Sequence, residues 1–327
     1  MAQAVNEWIA RHAEAISAAS AAENPILPLT SRGDQANVLR GLMEKRQPGI
    51  IEKGKTTGCR TIAFCSGKGG VGKSVISLNL ALALAQSGAS VCLMDVNLAL
   101  GNIDLLCRLN GYWNLSHVVS GARSLKEIQL EGPYGINVVT GASGLTDLAD
   151  CSEAVRKDVL GQMQELEATH DYLILDNGTG IHRSIRQFVT SADEVLIVTT
   201  PEPTAIADAY ATIKSLSSIP SMEIQILVNQ CTSSTQAKNV FQQLKKTTEL
   251  FLHAGLNQAG QIPHDSHVVQ SVYDREPFVL SNPNCPAAEA IFSLADHLID
   301  LNKTKDNKSR QESYFPRLWK RLLGEAA

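Results

Sequence analysis

Residues 67–74 read Gly67-Lys68-Gly69-Gly70-Val71-Gly72-Lys73-Ser74, and they meet every specified position of the phosphate-binding pattern G-x-x-x-x-G-K-[ST]. The stretch before them, 61–65, is apolar and rich in β-formers. The stretch after them, SVISLNLALALAQSG, has the length and composition of a helix that stops at Gly88. The loop thus falls at a strand-to-helix turn, where backbone N–H groups and the helix N-terminus hold phosphates with no Cβ in the way. Lys73 is then placed to neutralise β and γ oxygens. The Ser74 hydroxyl is placed to ligate Mg²⁺, which favours oxygens shared between protein and substrate phosphates. Gly67, Gly69, Gly70, Val71 and Gly72 supply the cradle.

Working outward, short apolar runs alternate with longer helical patterns from Arg60 to about Leu301. Strands are expected at 61–65, 91–95, 136–139, 172–176, 195–199 and 224–229. YLILD (172–176) and EVLIVTT (194–200) are near-continuous apolar runs, as parallel strands buried on both faces are. The expected class is α/β, a doubly wound, mostly parallel sheet of the P-loop NTPase kind. Four zones follow: an N-terminal helical appendage (1–57), the sheet domain (58–301), a polar tether (302–312) and a C-terminal amphipathic helix (313–327). Within the appendage, short helices are expected at 5–17 and 35–45 around the linker ENPILPLTSRG.

Composition narrows the function. Lys plus Arg is 29 against 33 Asp plus Glu, a net charge of −4, so there is no global electrostatic reason to hold nucleic acid. The seven cysteines are scattered with no C-x-x-C pair. That argues for reduced thiols in a cytoplasm and against a disulfide framework, a zinc ribbon or an iron–sulfur carrier. No run of eighteen apolar residues occurs, which excludes a transmembrane helix and leaves only peripheral membrane contact. His264 and His267 flank Asp265 three positions apart, a spacing that by itself is weak grounds for a metal site.

Lys68, directly after the first glycine of the loop, makes the motif KGGVGKS resemble the deviant Walker A of the ParA/MinD superfamily. The resemblance implies that Lys68 reaches across an ATP-sandwiched homodimer to the partner's phosphates. The second strand ends in Asp95-Val96-Asn97 where that family's switch I reads D-x-D. In the family the second aspartate positions or activates the attacking water, and here it is Asn97. An amide orients water but carries no charge and takes no proton at neutral pH. Loss of such an acid/base group typically costs about 10²- to 10⁴-fold, so ATP hydrolysis stands open, from slow ATPase to long-lived ATP-bound switch. Asp104 is either a substitute or a turn cap. Asp176, followed by Asn177-Gly178-Thr179-Gly180, resembles Walker B and switch II, which implies Mg²⁺ ligation by Ser74, Asp95 and Asp176. The resemblance also assigns adenine contacts to Asn229 and to the turn Ile262-Pro263-His264-Asp265.

PEPTAIADAYATIKSL and EPFVLSNPNCPAAEAI are similar to the flagellar-number regulators of the FlhG/FleN branch, from about residue 60 to 300. Asp34-Gln35-Ala36-Asn37-Val38-Leu39-Arg40 matches that branch's D-Q-A-x-x-L-R motif, implying that Asp34, Gln35, Leu39 and Arg40 contact an FlhF-type GTPase. The alternative is a helix docked on its own domain. Tyr314, Phe315, Leu318, Trp319, Leu322 and Leu323 share one helical face opposite Arg317, Lys320 and Arg321, the pattern of an interfacial helix with an anionic-lipid preference. A terminal helix packed back on the domain is the other reading. With ATP and Mg²⁺ as cofactors, the resemblance implies a cytoplasmic regulator, peripheral at the inner face of the cell membrane. Its expected partners are a second copy, an FlhF-type GTPase, and flagellar switch proteins or a flagellar transcription activator. A non-hydrolysing scaffold or anti-activator, and a septum-site or partition protein, are the competing readings.

Overall fold

The computed structural model of the chain describes residues 58–97, 101–141, 148, 151–180, 182–217, 219, 222–304 and 312–323. The helices expected at 5–17 and 35–45, with Asp34, Gln35, Leu39 and Arg40, lie outside them, as does most of the expected tether.

The eight strands of the sheet run in the order β3-β4-β2-β5-β1-β6-β7-β8. They are β1 (Arg60–Ser66), β2 (Val91–Val96), β3 (Leu130–Glu131), β4 (Asn137–Val139), β5 (Tyr172–Thr179), β6 (Glu194–Thr199), β7 (Ile224–Cys231) and β8 (Asn257–Pro263). Every pairing is parallel except β3 with β4 at one edge. The doubly wound, mostly parallel α/β sheet expected from the sequence is therefore present. Its central strand β1 is buried throughout, because both faces are covered. Ile62 and Phe64 enter one core while Ala63 and Cys65 enter the other, the two-residue alternation of a strand.

The helices among the described residues are α1 (Lys73–Gln86), α2 (Ile103–Leu106), α3 (Leu115–Val119), α4 (Leu125–Ile128), α5 (Glu153–Thr169), α6 (Arg183–Ser191), α7 (Pro203–Leu216), α8 (Ser234–Leu252), α9 (Ser266–Asp274), α10 (Phe278–Ser281), α11 (Pro286–Thr304) and α12 (Tyr314–Leu323). Helix α1 is apolar nearly all round, with Ile76, Leu78, Leu80, Leu82 and Leu84 buried. A helix of that kind needs cover on two sides, and it lies between the sheet and α11. At about 1.5–3 kcal/mol per fully buried large aliphatic side chain, this one helix anchors the loop that precedes it. The opposite core takes residues from α5, α6, α7, α8 and α12. No helix among the described residues is long and apolar enough to cross a membrane.

The elements differ from expectation most at three places. β5 continues past Asp176 to Thr179, because the register with β1 shifts after Phe64 and Ser66 pairs with Thr179. α11 runs to Thr304, past the expected boundary at 301. β8 is a strand that the sequence conceals: in NQAGQIP only Ile262 is buried, so no apolar run marks it.

Candidate functional site

The loop between β1 and α1 lies at the carboxyl edge of the sheet. Gly72 has φ +89°, and a Cβ there would run into the side-chain amide of Asn229. That amide donates to the Val71 carbonyl at 2.8 Å, so the end of β7 props the loop. Lys73 Nζ lies 2.7 Å from Asp176 Oδ1, and both side chains are buried. The phosphate lysine and the β5 aspartate thus meet at one point, with Ser74 on the next position of α1.

Asp95 ends β2 beside Asp176 in register. Its Oδ1 accepts the Asn97 N–H at 3.1 Å, and its Oδ2 accepts those of Asn102 at 2.9 Å and Ile103 at 3.3 Å. Burial, and then the charge of Asp176, pushes its carboxyl up to about 6. The sequence places Asp95 among the Mg²⁺ ligands, whereas in the structure its oxygens tie down the backbone of the switch I segment. Asp176, opposite Asp95 across the sheet, and Ser74, at the start of α1, are the other two expected ligands. Asn97 Oδ1 stands 3.1 Å from where a Cβ on residue 178 would sit, so the amide packs closely against Gly178 and a larger residue there would have to displace it by a few tenths of an ångström. Asp104 Oδ1 accepts the Leu105 N–H at 2.9 Å at the start of α2, the local turn role rather than that of a substitute. Asn177 is fully buried and donates to the Phe64 carbonyl at 2.9 Å. Its Oδ1 is buried without a hydrogen-bond partner.

Beside the loop lies a cavity of about 550 Å³, lined mostly by apolar side chains, among them Ile76, Pro263, Val272 and Phe278, with Asn229 and Asp265 on its wall. The site therefore joins a glycine cradle with a buried cation to an apolar slot carrying an amide and a carboxylate. A nucleoside triphosphate with Mg²⁺ needs these parts. Asn229, Pro263 and Asp265 come together as expected from the sequence. Asp265 also caps α9 through the His267 N–H at 2.9 Å and accepts the Ala287 N–H at 3.2 Å.

The ParA family model, described as NUBPL iron-transfer P-loop NTPase, matches residues 59–299. The chain belongs to the ParA/MinD family of P-loop NTPases. It is 34% identical over 260 residues to "Antiactivator FleN" of Pseudomonas aeruginosa, covering 79% of this chain and 93% of that protein. It is 32% identical over 295 residues to "Flagellum site-determining protein YlxH" of Helicobacter pylori, covering 88% and 99%. Among solved structures, the MinC:MinD cell division complex of Aquifex aeolicus is similar at 25% identity and a TM-score of 0.60, covering 74% of this chain and 96% of that one. MinD of Pyrococcus horikoshii OT3 complexed with Mg-ADP, 21% identical with a TM-score of 0.60, covers 74% and 97% and shares the fold.

In this ParA/MinD-family chain the characteristic Lys68 is a third exposed. Its ammonium pairs with the Glu202 carboxylate and donates to the Thr204 hydroxyl at 2.8 Å, both at the start of α7. Hydrogen bonds from Lys68 and then Thr204 hold Glu202 below the ordinary carboxylate range. Glu202 stands immediately before α7, and nothing in the local sequence announces its ion pair with Lys68.

Helix α12 forms as the hydrophobic pattern requires, with Pro316 in its first turn, but its apolar face is not open. Tyr314, Phe315 and Leu318 are buried against α5 and α6, and Trp319 and Leu322 pack partly against the same core. The Glu167 carboxylate accepts the N–H groups of Tyr314 at 2.6 Å and Phe315 at 3.3 Å, Arg317 pairs with Asp193 at 2.7 Å, and Gln187 donates to the Arg321 carbonyl at 2.9 Å. Amphipathy states which face wants burial and leaves the covering surface unspecified. Here the domain covers it.

Proposed function

We propose that this chain is an ATP-driven switch that dimerises when ATP is bound, moves to an anionic membrane surface on the cytoplasmic side, and controls the number and placement of flagella. The observation that carries this reading is Lys68, on the exposed rim of the phosphate loop and held by nothing stronger than a surface pair with Glu202 and Thr204. Solvent-exposed pairs of this kind contribute little, so a partner's phosphates can take the ammonium at little cost. Lys73 binds the β and γ oxygens once it leaves Asp176. Ser74, Asp176 and the neighbouring Asp95 would hold Mg²⁺, which would supply charge neutralisation on the phosphates. Asn229, Pro263 and Asp265 receive the base.

The docked α12 completes the cycle. One tail binds lipid weakly, while two tails on a dimer act at high effective concentration. Release of α12 therefore couples ATP-dependent dimerisation to membrane residence, with Phe315, Leu318, Trp319, Leu322 and Leu323 entering the bilayer surface. The motif from Asp34 to Arg40 engages an FlhF-type GTPase, and the switch proteins or transcription activator of the flagellum are the further partners. Truncation of residues 1–57 is the test of that arm: GTPase stimulation is lost if the motif acts, and unchanged stimulation removes it.

Asn97 favours a second reading, a non-hydrolysing ATP-bound scaffold or anti-activator. Its amide fits against Gly178 and accepts no proton. Turnover by wild type equal to that of Asn97→Asp supports the cycling ATPase, whereas turnover gained only in Asn97→Asp supports the scaffold.

A further inference from the structure

Three potential metal donors converge at the start of α9, behind the Asp265 wall of the base cavity. Cys285, distant in sequence, stands just before α11 and comes up against Asp265 and His267 at the start of α9. One ligand atom from each lies within 4.8 Å of the other two. The Asp265 side chain is 5% exposed and Cys285 is 5% exposed, while His267 stays open to solvent. The His267 ring nitrogen Nδ1 lies 2.8 Å from Asp265 Oδ1, and the Cys285 thiol hydrogen-bonds to the same carboxylate. Burial pushes the Asp265 carboxyl up, but hydrogen bonds from the His267 amide and ring and from the Ala287 amide outweigh it and hold the group at about 2. An ionised carboxylate only accepts, so Nδ1 and Sγ both carry protons directed at it.

We propose that Asp265, His267 and Cys285 form a binding site for a single divalent ion of borderline softness, of the Zn²⁺ class. The donor set of one thiolate, one imidazole and one carboxylate is that of zinc rather than magnesium or calcium. A tetrahedral ion with bonds of about 2.0–2.3 Å needs its ligand atoms about 3.3–3.8 Å apart. Closing from 4.8 Å or less therefore takes about 1 Å of movement, within reach of the exposed His267 side chain. Three protein ligands leave the fourth position to water. On binding, the thiol proton goes to solvent, the imidazole proton moves from Nδ1 to Nε2, and no other bond changes. The ion would clasp the turn at Asp265 to α11. It is separate from the Mg²⁺ expected at Ser74 and Asp176, but it shares Asp265 with the wall that receives the base, so binding of the ion is measured without nucleotide.

The test is a Co²⁺ titration of the purified full chain, without nucleotide or Mg²⁺, followed by absorbance. The expected result is a thiolate-to-cobalt charge-transfer band that saturates at one ion per chain, is displaced by Zn²⁺, and comes with release of one proton. Cys285→Ser should abolish the band. His267→Ala, at an exposed position that leaves folding intact, should weaken binding by about 100-fold or more, since loss of even an outer-shell partner costs 10- to 100-fold. Absence of the band in the wild type, or unchanged binding in His267→Ala, would overturn the proposal. The same band surviving in Cys285→Ser would place the ion on another cysteine and overturn it as well.

Discussion

Lys73 Nζ and Asp176 Oδ1 form a buried ion pair at 2.7 Å, at the point where the phosphate loop meets the end of β5. Breaking one side of such a pair leaves a buried, uncompensated charge, at a cost of about 3–5 kcal/mol. Lys73→Ala should therefore lower stability by that order as well as abolish ATP binding. Lys73→Ala combined with Asp176→Asn should recover most of the stability and none of the binding. Chemical denaturation and nucleotide titration of the two variants separate the effects.

Lys68 and Glu202 make the contrasting case, since both are partly exposed. Glu202→Gln should leave stability essentially unchanged, since exposed ion pairs contribute little. It should also tighten ATP-dependent dimerisation by up to about fivefold, because the ammonium is no longer engaged within its own chain. Analytical ultracentrifugation with Mg-ATP reads this directly. A weaker dimer would mean that Glu202 holds Lys68 in its working position.

The α12 clasp should respond to pH through Glu167. Burial raises its carboxyl above the ordinary range, outweighing the Tyr314 and Phe315 amides that lower it. A carboxyl whose pKa is raised by docking takes up a proton when the helix docks. Docking is therefore strongest below the free-carboxylate value of about 4.3 and weakens as pH rises through the shifted value. Glu167→Gln should flatten that dependence. Fluorescence of a probe attached near Trp319, followed against pH, is the measurement.

On the cycling-ATPase reading Asn97→Asp should turn over ATP at the rate of the wild type, whereas a gain of about 10²-fold, the lower end of what a positioned acid/base group supplies, would mark the ATP-bound scaffold. Steady-state phosphate release from wild type, Asn97→Asp and Lys73→Ala checks this, with the Lys73 variant as the blank.

What could be read from the chain alone depended on how local each feature is. The loop from Gly67 to Ser74 was legible because its chemistry is written in consecutive residues and its flanking strand and helix are strongly apolar. The strand at 172–176 was legible up to Asp176. Its extension to Thr179 was not, because that extension depends on pairing with Ser66 across the sheet. β8 was missed because a mostly polar strand is held by its neighbour β7 and not by its own apolar pattern. Asn229, Pro263 and Asp265 were located through their order behind the loop. The approach of Cys285 to Asp265 and the pairing of Lys68 with Glu202 are set by tertiary packing, and no local signal announces them. For α12 the face was correct and its cover was hidden, since Glu167, Gln187 and Asp193 belong to other elements.

The central claim is that ATP, through Lys68, sends this chain to the membrane. Co-sedimentation of the full chain with anionic vesicles, with Mg-ATP and with Mg-ADP, tests it beside Lys68→Ala and Trp319→Glu. The account predicts vesicle binding that requires ATP in the wild type and is lost in both variants. Equal binding with either nucleotide, or undiminished ATP-dependent binding by Lys68→Ala, would contradict it.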